Sequence, residues 1–421
     1  MALELVWKRA SLVAKLRDRP LGEILDGFCQ WLLDNGYART TVRIHIQRVC
    51  HFDNYIAQVG SVAPEGLSSD HIQAFLTDCL PTYPCPRGGF RERIRTRFSI
   101  HRLTTYLVAA GLIRHRPPPP PPYQALLDEY LIWVRDYCHC SERTLVTRRI
   151  YLIPFLEHLG MAAVKTERLS KLSSDTIQAF LLDYARGHAD SRPRYVAEAL
   201  HTFCNFCLHQ GYISRDLAPA VPSFRRYRLS TIPRGITDEE ARRLLRSVDR
   251  TTVTGRRDYA ILQLLYTYGV RGEQVSGLRL DNIQWAEGQI RFAPLKHGKT
   301  VVEPLTDAVG DALLTYLQRG RPPSSYREVF MAVRAPYIPV QRQRLSQIVG
   351  ERLRAAGIQI PRPGTKVFRH GFATRVLAAG YPLKSIADML GHRNLQSTAI
   401  YAKVDFPALE RVALEWPVEE S

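Results

Sequence analysis

The 421-residue chain has few acidic residues and no long apolar run. Asp and Glu number 40 against 58 Lys and Arg, so the formal net charge is +18 at pH 7. No run of about 18 apolar residues is present, so no segment is predicted to span a bilayer. The N-terminal segment carries Lys8, Arg9, Lys15 and Arg17 among its apolar residues and lacks a secretory core. We expect a cytoplasmic protein with no membrane partner, and the cation excess favours a polyanion as partner.

Cysteine is absent after Cys207, and all 8 cysteines lie at or before that position. A long cytosolic chain argues against disulfides. Cys204 and Cys207 have the CxxC spacing of a zinc half-site, to which Cys138 and Cys140 could add ligands. The CxxC pair lies in an apolar segment typical of a helix, however, so buried thiols are favoured over a metal site. Neither a P-loop nor an HExxH motif is present, and no cofactor is expected.

The front half of the chain contains an internal repeat. The segment LSSDHIQAFL at residues 67–76 recurs as LSSDTIQAFL at residues 172–181. Aligned positions outside this segment are Phe28 with Tyr130, Trp31 with Trp133, and Tyr106 with Phe206. Each copy has apolar residues at helical spacing, which predicts about four short amphipathic helices. The Ser-Ser-Asp step of each copy predicts a helix N-cap.

Two linkers divide the chain into three predicted domains. Residues 117–122 are all proline and predict a semi-rigid spacer of roughly 19 Å, with an SH3-type ligand as the alternative. A second linker is basic and aromatic, and its Arg225, Arg226 and Arg228 are candidate DNA contacts, a solvated tether being the alternative. The predicted boundaries are 1–116 for a helical module, 117–122 for the proline linker, 123–221 for its duplicate, 222–234 for the basic linker and 235–421 for the third domain.

Basic segments in both helical modules predict contact with phosphates. Residues 87–102 alternate arginines with Phe90 and Phe98, a pattern that favours a nucleic-acid face over a merely solvated one. The candidate DNA-binding residues are Arg91, Arg93, Arg95 and Arg97 in the first module and Arg192 and Arg194 in the second.

The third domain begins with a predicted capping box, in which Thr237 pairs with Glu240. The apolar segment 259–268 predicts a buried helix that ends at Gly269. Segments 285–292 and 299–305 predict strands of a small antiparallel sheet, with one turn at Glu287-Gly288 and the other at residues 296–299.

Six residues of this domain form an ordered set. They are Arg271 just past the buried helix, Lys296 on the hairpin turn, Lys366 with Arg369 on one helical face, His392 in Leu-Gly-His, and Tyr401 nine residues later. This set resembles the signature of the tyrosine recombinases, also called phage integrases. The second helical module resembles the core-binding domain of the same family.

The resemblance implies a mainly α, multidomain fold. It comprises two helical, SAM-like core-binding modules followed by a mixed α/β catalytic domain with a small antiparallel sheet. The implied function is a site-specific recombinase that cuts and rejoins duplex DNA through a 3′-phosphotyrosyl intermediate, for integration, excision or transposition of a mobile element. The alternatives are a housekeeping recombinase that resolves chromosomes or plasmids, and a non-catalytic DNA-binding relative. A homotetramer on paired DNA sites is expected, with related recombinases or accessory DNA-bending proteins as further candidate partners.

The resemblance also implies a role for each residue, and phosphodiester chemistry needs each role. Arg271 and Arg369 would clamp the phosphate with planar guanidiniums. Tyr401 would be the nucleophile, and because a free phenol has a pKa of about 10, nearby cations are expected to favour its phenolate. Lys296 would protonate the leaving 5′-oxygen.

Two positions depart from the family's pattern. Glu273-Gln274 stands where the family commonly has Ser-Glu, so the usual carboxylate is shifted or lost. Lys366 occupies a position more often held by His, which leaves open whether Lys366 or His392 helps to deprotonate Tyr401. His370 has no position in the pattern and is predicted to be structural.

Overall fold

The structure is a computed structural model that describes residues 2–60, 66–83, 89–114, 120–160, 166–188, 192–223, 234–294, 300–392 and 394–404. Residues 1–114 and 229–421 belong to one compact unit, and residues 115–228 belong to a second. Helices dominate the described residues, and a small antiparallel sheet accompanies them, so the predicted fold class is confirmed. Within the described ranges, no helix is long and apolar enough to cross a membrane.

The first helical module has its own apolar core. Its helices are α1 (Ala2–Val6), α2 (Ala10–Arg17), α3 (Gly22–Asp34), α4 (Arg39–Val59), α5 (Ser69–Ala74, continued as a π-helical turn Phe75–Cys79) and α6 (Gly89–Ala109). The α1 and α2 helices precede the repeated segment and add Leu3, Val6 and Val13 to the core. Near the other end of the module, Gly111 adopts φ +69° after α6, as expected for a glycine that ends a helix.

The second unit repeats this arrangement around a separate core. Its helices are α7 (Gln124–Cys138), α8 (Glu142–Leu159), α9 (Ser174–Arg186) and α10 (Arg192–His209), with a 3-10 turn at Thr166–Lys171. Cys204 and Cys207 on α10 are fully buried, which confirms the prediction of buried thiols. Burial raises the pKa of the Cys204 thiol to about 12. Among the described residues, no group of three or more His, Cys, Asp or Glu side chains is placed to hold a metal ion.

An aromatic triad is conserved between the two modules and confirms the internal repeat. In the first module, Tyr106 lies 5.8 Å from Phe28 and 6.2 Å from Trp31, measured between ring centroids. The aligned rings of the second module make the same contacts at 5.6 Å and 5.8 Å. The shared segment also begins a helix in both copies, with Ser68 and Ser173 as N-caps.

The third domain begins at the predicted capping box. The backbone N–H of Glu240 donates to the Thr237 hydroxyl, and the Glu240 carboxylate accepts the Thr237 N–H. The helices are α11 (Asp238–Ser247), α12 (Val253–Tyr268), α13 (Gly272–Ser276), α14 (Asp307–Arg319), α15 (Arg342–Ala355), α16 (Lys366–Ala378) and α17 (Leu383–Met389). The α12 helix is buried almost all round, as predicted, and forms the centre of the domain's core.

A three-stranded antiparallel sheet lies between α13 and α14. Its strands are β1 (Ile283–Gln284), β2 (Gln289–Phe292) and β3 (Val301–Pro304), in the order β1-β2-β3. The prediction missed β1. Its turn at Glu287-Gly288 is confirmed, but it included Trp285 and Ala286 in a strand, whereas residues 285–288 all form the turn before β2. A strand of two residues leaves no alternating pattern for sequence analysis to detect.

A buried ionic cluster fixes α12 against α15. The Asp258 carboxylate accepts from Arg257 at 2.7 Å and from Arg352 at 2.7 Å. Asp258 and Arg257 are both almost fully buried, and the second cation compensates the cost of removing the carboxylate from water. The cluster therefore anchors the helix from whose C-terminus the site begins.

Candidate active site

The site begins where α12 ends, at Gly269. This glycine adopts φ +58°, and a Cβ at this position would lie 2.6 Å from the Phe372 ring of α16. Only glycine meets both the left-handed backbone and the close approach. The chain then turns so that Arg271 forms the N-cap of α13. The close approach of Gly269 to α16 brings Arg271 toward the second candidate arginine.

Gln274 holds the backbone of Arg271 in place. Its side-chain oxygen accepts the Arg271 N–H at 3.1 Å, and its amide nitrogen donates to the Ala293 carbonyl at 3.3 Å. Gln274 is buried, whereas its neighbour Glu273 is exposed. Gln274 stands at the buried position that is commonly glutamate in the family. Here the oxygen of its amide accepts one hydrogen bond and the nitrogen donates another.

Two guanidiniums converge on one carbonyl oxygen. Arg369 on α16 is 8 % exposed, and it donates to the carbonyls of Gly269 at 3.1 Å and Leu390 at 2.6 Å. The half-buried Arg271 donates to the same Leu390 carbonyl at 3.4 Å. Burial and the charge of Arg271 lower the pKa of Arg369 to about 9, so that both side chains remain cations at neutral pH. Two cations whose partners among the described residues are backbone carbonyls are poised to bind an anion.

His392 lies two residues beyond this carbonyl. Gly391, at φ +60°, turns the chain after α17, and the His392 Nδ1 atom pairs with the buried Thr398 hydroxyl at 2.7 Å. Burial lowers the pKa of His392 to about 4, with help from the charges of Arg369 and Arg271. The ring is therefore neutral at pH 7, and Thr398 fixes its orientation.

Tyr401 lies on a 3-10 turn, Ala399–Val404, packed against α16. It is 2 % exposed. Burial raises the pKa of its phenol above the ordinary value, although Arg369 and Arg271 act in the opposite direction. As expected, the two arginines lower the pKa of Tyr401 and favour its phenolate. Desolvation raises this pKa by more, so the net shift is upward. The nucleophile candidate is therefore a neutral phenol that needs a proton acceptor.

His370 contacts the phenol directly. Its Nδ1 atom lies 3.0 Å from the Tyr401 hydroxyl, and the two rings are 5.7 Å apart. His370 thus contacts a member of the predicted set, and its structural role stays a prediction. His370 lies one helical turn after Lys366 on α16. This i,i+4 spacing was the sequence feature that could have indicated that His370 lies on the same face as Lys366.

The structure thus brings together four of the six predicted residues: Arg271, Arg369, His392 and Tyr401. Lys366 begins α16, and its side chain is exposed. Lys296 lies outside the described residues. Two further residues contact members of the site without being in the predicted set: His370 contacts Tyr401, and Thr398 contacts His392.

The candidate DNA-binding arginines of α6 lie on two flanks of the helix. With about 3.6 residues per turn, Arg91 and Arg95 share one flank, and Arg93 and Arg97 share the other. Between the flanks run Phe90, Ile94 and Phe98, which are 70 %, 41 % and 66 % exposed. We call these three residues the α6 ridge. Arg97 also donates to the Leu76 carbonyl at 3.1 Å, and Arg95 lies 3.7 Å from Glu92.

The remaining candidates belong to the second unit or lie outside the described residues. Arg192 begins α10 and is exposed. Arg194 stacks its guanidinium on the Tyr195 ring at 4.6 Å and lies 3.5 Å from Glu198. Arg225, Arg226 and Arg228 fall outside the described residues.

Gln274→Glu is expected to destabilise the domain by about 1–3 kcal/mol. The variant keeps an acceptor for the Arg271 N–H but replaces the donor to the Ala293 carbonyl with a second acceptor, in a buried position. Urea unfolding of both proteins measures the difference. Glu273→Gln, the matched change at the exposed neighbour, should cost less than about 0.5 kcal/mol. Equal stability of Gln274→Glu and the unaltered protein would contradict the role assigned to the amide.

The comparisons with known proteins agree with this geometry. The sequence model of the phage integrase family matches residues 234–407. The integrase/recombinase y4rA of Sinorhizobium fredii is 33% identical over 402 residues, which cover 95% of each chain. The chain therefore belongs to the phage integrase family, the tyrosine recombinases, and is an enzyme that breaks and rejoins DNA strands in site-specific recombination.

A recombinase from another organism matches over a smaller part of the chain. The tyrosine recombinase XerD of Listeria innocua is 28% identical over 286 residues, which span 66% of this chain and 94% of XerD. The crystal structure of XerH bound to a palindromic difH substrate, a post-cleavage complex, matches with a TM-score of 0.54 and 18% identity. That match covers 69% of this chain and 84% of XerH and shows the shared fold.

Proposed function

We propose that the chain is the recombinase of a mobile element, which cuts and rejoins duplex DNA through a 3′-phosphotyrosyl intermediate. The observation that carries the chemistry is the convergence of Arg271 and Arg369 on the Leu390 carbonyl, with Tyr401 buried beside them. A phosphate that displaces this carbonyl would receive planar donors from both arginines. The charge that develops on its oxygens would then be stabilised by preorganised cations.

The remaining residues complete a phosphoryl transfer. Tyr401 attacks phosphorus, and the 5′-oxygen leaves with a proton from Lys296. His392, held by Thr398, donates to the phosphate from its free ring nitrogen. Lys366, at the exposed start of α16, supplies a further cation to the DNA side of the site. Because the phosphotyrosyl bond retains the energy of the phosphodiester, the strand is rejoined by the reverse reaction.

The first module is proposed to extend the DNA contact. The match to XerD spans 66% of this chain and the match to y4rA spans 95%, so about a third of the chain lies outside the match to XerD. The duplicated module provides arginines on both flanks of the exposed α6 ridge. These features support a mobile-element recombinase with an enlarged footprint over a housekeeping resolvase. The domain boundaries 1–116, 123–221 and 235–421 remain part of this proposal.

Removing two exposed cations from one flank of α6 should weaken DNA binding without changing sequence preference. Arg91→Ala with Arg95→Ala is expected to lower the slope of log affinity against log salt by about 2, because each phosphate contact releases about one counterion. Fluorescence anisotropy over a salt series measures the slope. The matched double variant Arg327→Ala with Lys384→Ala, which removes two exposed cations of the catalytic domain, should leave it unchanged. An unaltered slope for the α6 variant would contradict DNA contact by that flank.

Excision in cells tests the mobile-element role. The protein is expressed together with a plasmid carrying its coding region and flanking DNA, and the joined ends of an excised circle are amplified. We expect a circle junction with the unaltered protein and none with Tyr401→Phe. Conversion of plasmid dimers to monomers without any circle would instead favour the resolving role.

The assembly is proposed to be a cytoplasmic homotetramer on two paired DNA sites. Recombination of two duplexes requires four strand cleavages, and one Tyr401 serves each cleavage. Related recombinases or accessory DNA-bending proteins would join this assembly as further partners.

A further inference from the structure

The buried phenol of Tyr401 has an unassigned neighbour in His370. The His370 Nδ1 atom lies 3.0 Å from the Tyr401 hydroxyl, within hydrogen-bond distance of the atom that would attack phosphorus. His392 is engaged differently, since its Nδ1 atom pairs with Thr398 at 2.7 Å. Lys366 carries an ammonium, which has donors and no acceptor. His370 is therefore the group placed to accept a proton from the phenol.

The backbone fixes His370 in this position. A Cβ on Gly235 would lie 2.3 Å from the Gly371 nitrogen, so the segment before α11 packs tightly on α16 at this point. The Ile236 N–H donates to the Val367 carbonyl at 3.1 Å and ties the same two segments together. On the other side, the 3-10 turn that carries Tyr401 packs against α16 through the Ala373 and Leu390 core. The backbone positions of His370 and Tyr401 are thus both fixed by packing.

The surroundings keep the ring neutral. Lys366 and Arg369 face His370 from its own helix, Tyr401 faces it from the 3-10 turn, and the adjoining Gly235 and Ile236 carry no ionisable side chain. Burial, and then the charges of Lys366 and Arg369, lower the pKa of His370 below its ordinary value. At pH 7 the ring is therefore neutral and has one nitrogen free to accept. The contact with Tyr401 determines the tautomer of His370. When the phenol donates, Nδ1 is the acceptor, so the hydrogen of the neutral ring is on Nε2.

We infer that His370 is the general base that takes the Tyr401 proton during strand cleavage, an inference that rests on the proposed phosphotyrosyl chemistry. The bond between the Tyr401 oxygen and phosphorus forms as the phenol proton passes to His370 Nδ1. The bond from phosphorus to the 5′-oxygen breaks, and the leaving oxygen takes a proton from Lys296. In the rejoining step, His370 returns the proton to the phenol. Since lysine occupies position 366, where the family more often has histidine, the base has moved one helical turn along α16.

The test is the pH dependence of covalent adduct formation by the full-length protein. The substrate is a nicked duplex that carries the inverted repeats flanking the coding region and traps the cleaved strand. For the unaltered protein, the single-turnover rate should be flat at neutral pH and should fall only at a pH below the ordinary histidine pKa of about 6.5, where His370 becomes protonated. His370→Asn keeps a polar atom near the Nδ1 position but removes the basic nitrogen. It should react about a hundredfold more slowly at pH 7.

The pH profile separates a base from a merely structural residue. Without His370, the rate of His370→Asn should rise about tenfold per pH unit through the neutral range, because the phenol must lose its proton to solvent. Added imidazole should increase the rate of His370→Ala but not that of the unaltered protein. His139→Asn, a matched change at an exposed histidine with positive φ, should behave like the unaltered protein.

The results for the two His370 variants determine whether His370 is the general base. An unchanged rate for His370→Asn, or a slower rate with an unchanged pH profile and no response of His370→Ala to imidazole, would overturn the inference. If His370→Asn fails to fold, the imidazole response of His370→Ala and the acid limb of the unaltered protein decide. Absence of any adduct from the unaltered protein would instead reject the proposed function itself.

Discussion

Replacing Tyr401 by phenylalanine should abolish covalent attachment to DNA while leaving DNA binding intact. The rate of adduct formation is expected to fall by at least about a thousandfold, because the variant has no nucleophilic oxygen. The Tyr401 hydroxyl bonds to His370, and the ring packs in a small core with Ala373, Ile386 and Leu390. Phenylalanine preserves that packing. Gel electrophoresis in denaturant measures the adduct, and native gel shift measures binding.

A second tyrosine provides the control. Tyr316→Phe also removes a buried hydroxyl from the same domain, one that accepts the Met331 N–H at 3.1 Å. This variant is expected to lose some stability and to keep adduct formation. Adduct that survives Tyr401→Phe would show that another residue is the nucleophile.

Replacing Arg369 by lysine should slow cleavage by about a hundredfold to a thousandfold. The guanidinium of Arg369 reaches the carbonyls of Gly269 and Leu390 at once, through two nitrogens of one plane. A lysine ammonium is a point charge that cannot hold this geometry and present a planar pair of donors to a phosphate. Single-turnover adduct formation at saturating protein measures the loss, which should appear in the rate and not in the affinity for DNA.

Arg375→Lys is the matched control on the same helix. Arg375 stacks on the Tyr266 ring at 4.4 Å and lies 3.5 Å from Asp238, away from the Leu390 carbonyl. Its replacement should change the rate of cleavage by less than about threefold, since the half-buried Arg375 stack stabilises α16 but places no donor on the Leu390 carbonyl. If both variants slowed cleavage equally, the effect would reflect the stability of α16 rather than a phosphate clamp.

Features that depend on a local sequence pattern were predictable from the sequence. The aligned aromatic residues of the repeat predicted two similar modules. Trp31 packs on Tyr106 in the first module as Trp133 packs on Phe206 in the second. The capping box at Thr237 and the buried helix before Gly269 follow from side-chain chemistry over a few residues. The six-residue set was recognised from its order, and four of its members come together in space.

The contacts that depend on long-range packing were not predictable in this way. His370 and Tyr401 are 31 residues apart, and they meet because a 3-10 turn returns to α16. The pKa of Tyr401 depends on its burial, which outweighs the two arginines. The net direction of that shift could not be obtained from the number of nearby cations. The role of Gln274 likewise depends on the Ala293 carbonyl, 19 residues further along the chain.

The chemical identity of the covalent adduct tests the central claim most directly. The protein is trapped on a nicked duplex, digested with protease and nuclease, and the peptide that carries a nucleotide is sequenced by mass spectrometry. We predict that the nucleotide is joined through its 3′-phosphate to Tyr401 and that the complementary fragment ends in a free 5′-hydroxyl. Attachment to another residue, attachment through a 5′-phosphate, or complete absence of a nucleotide-bearing peptide would contradict the account.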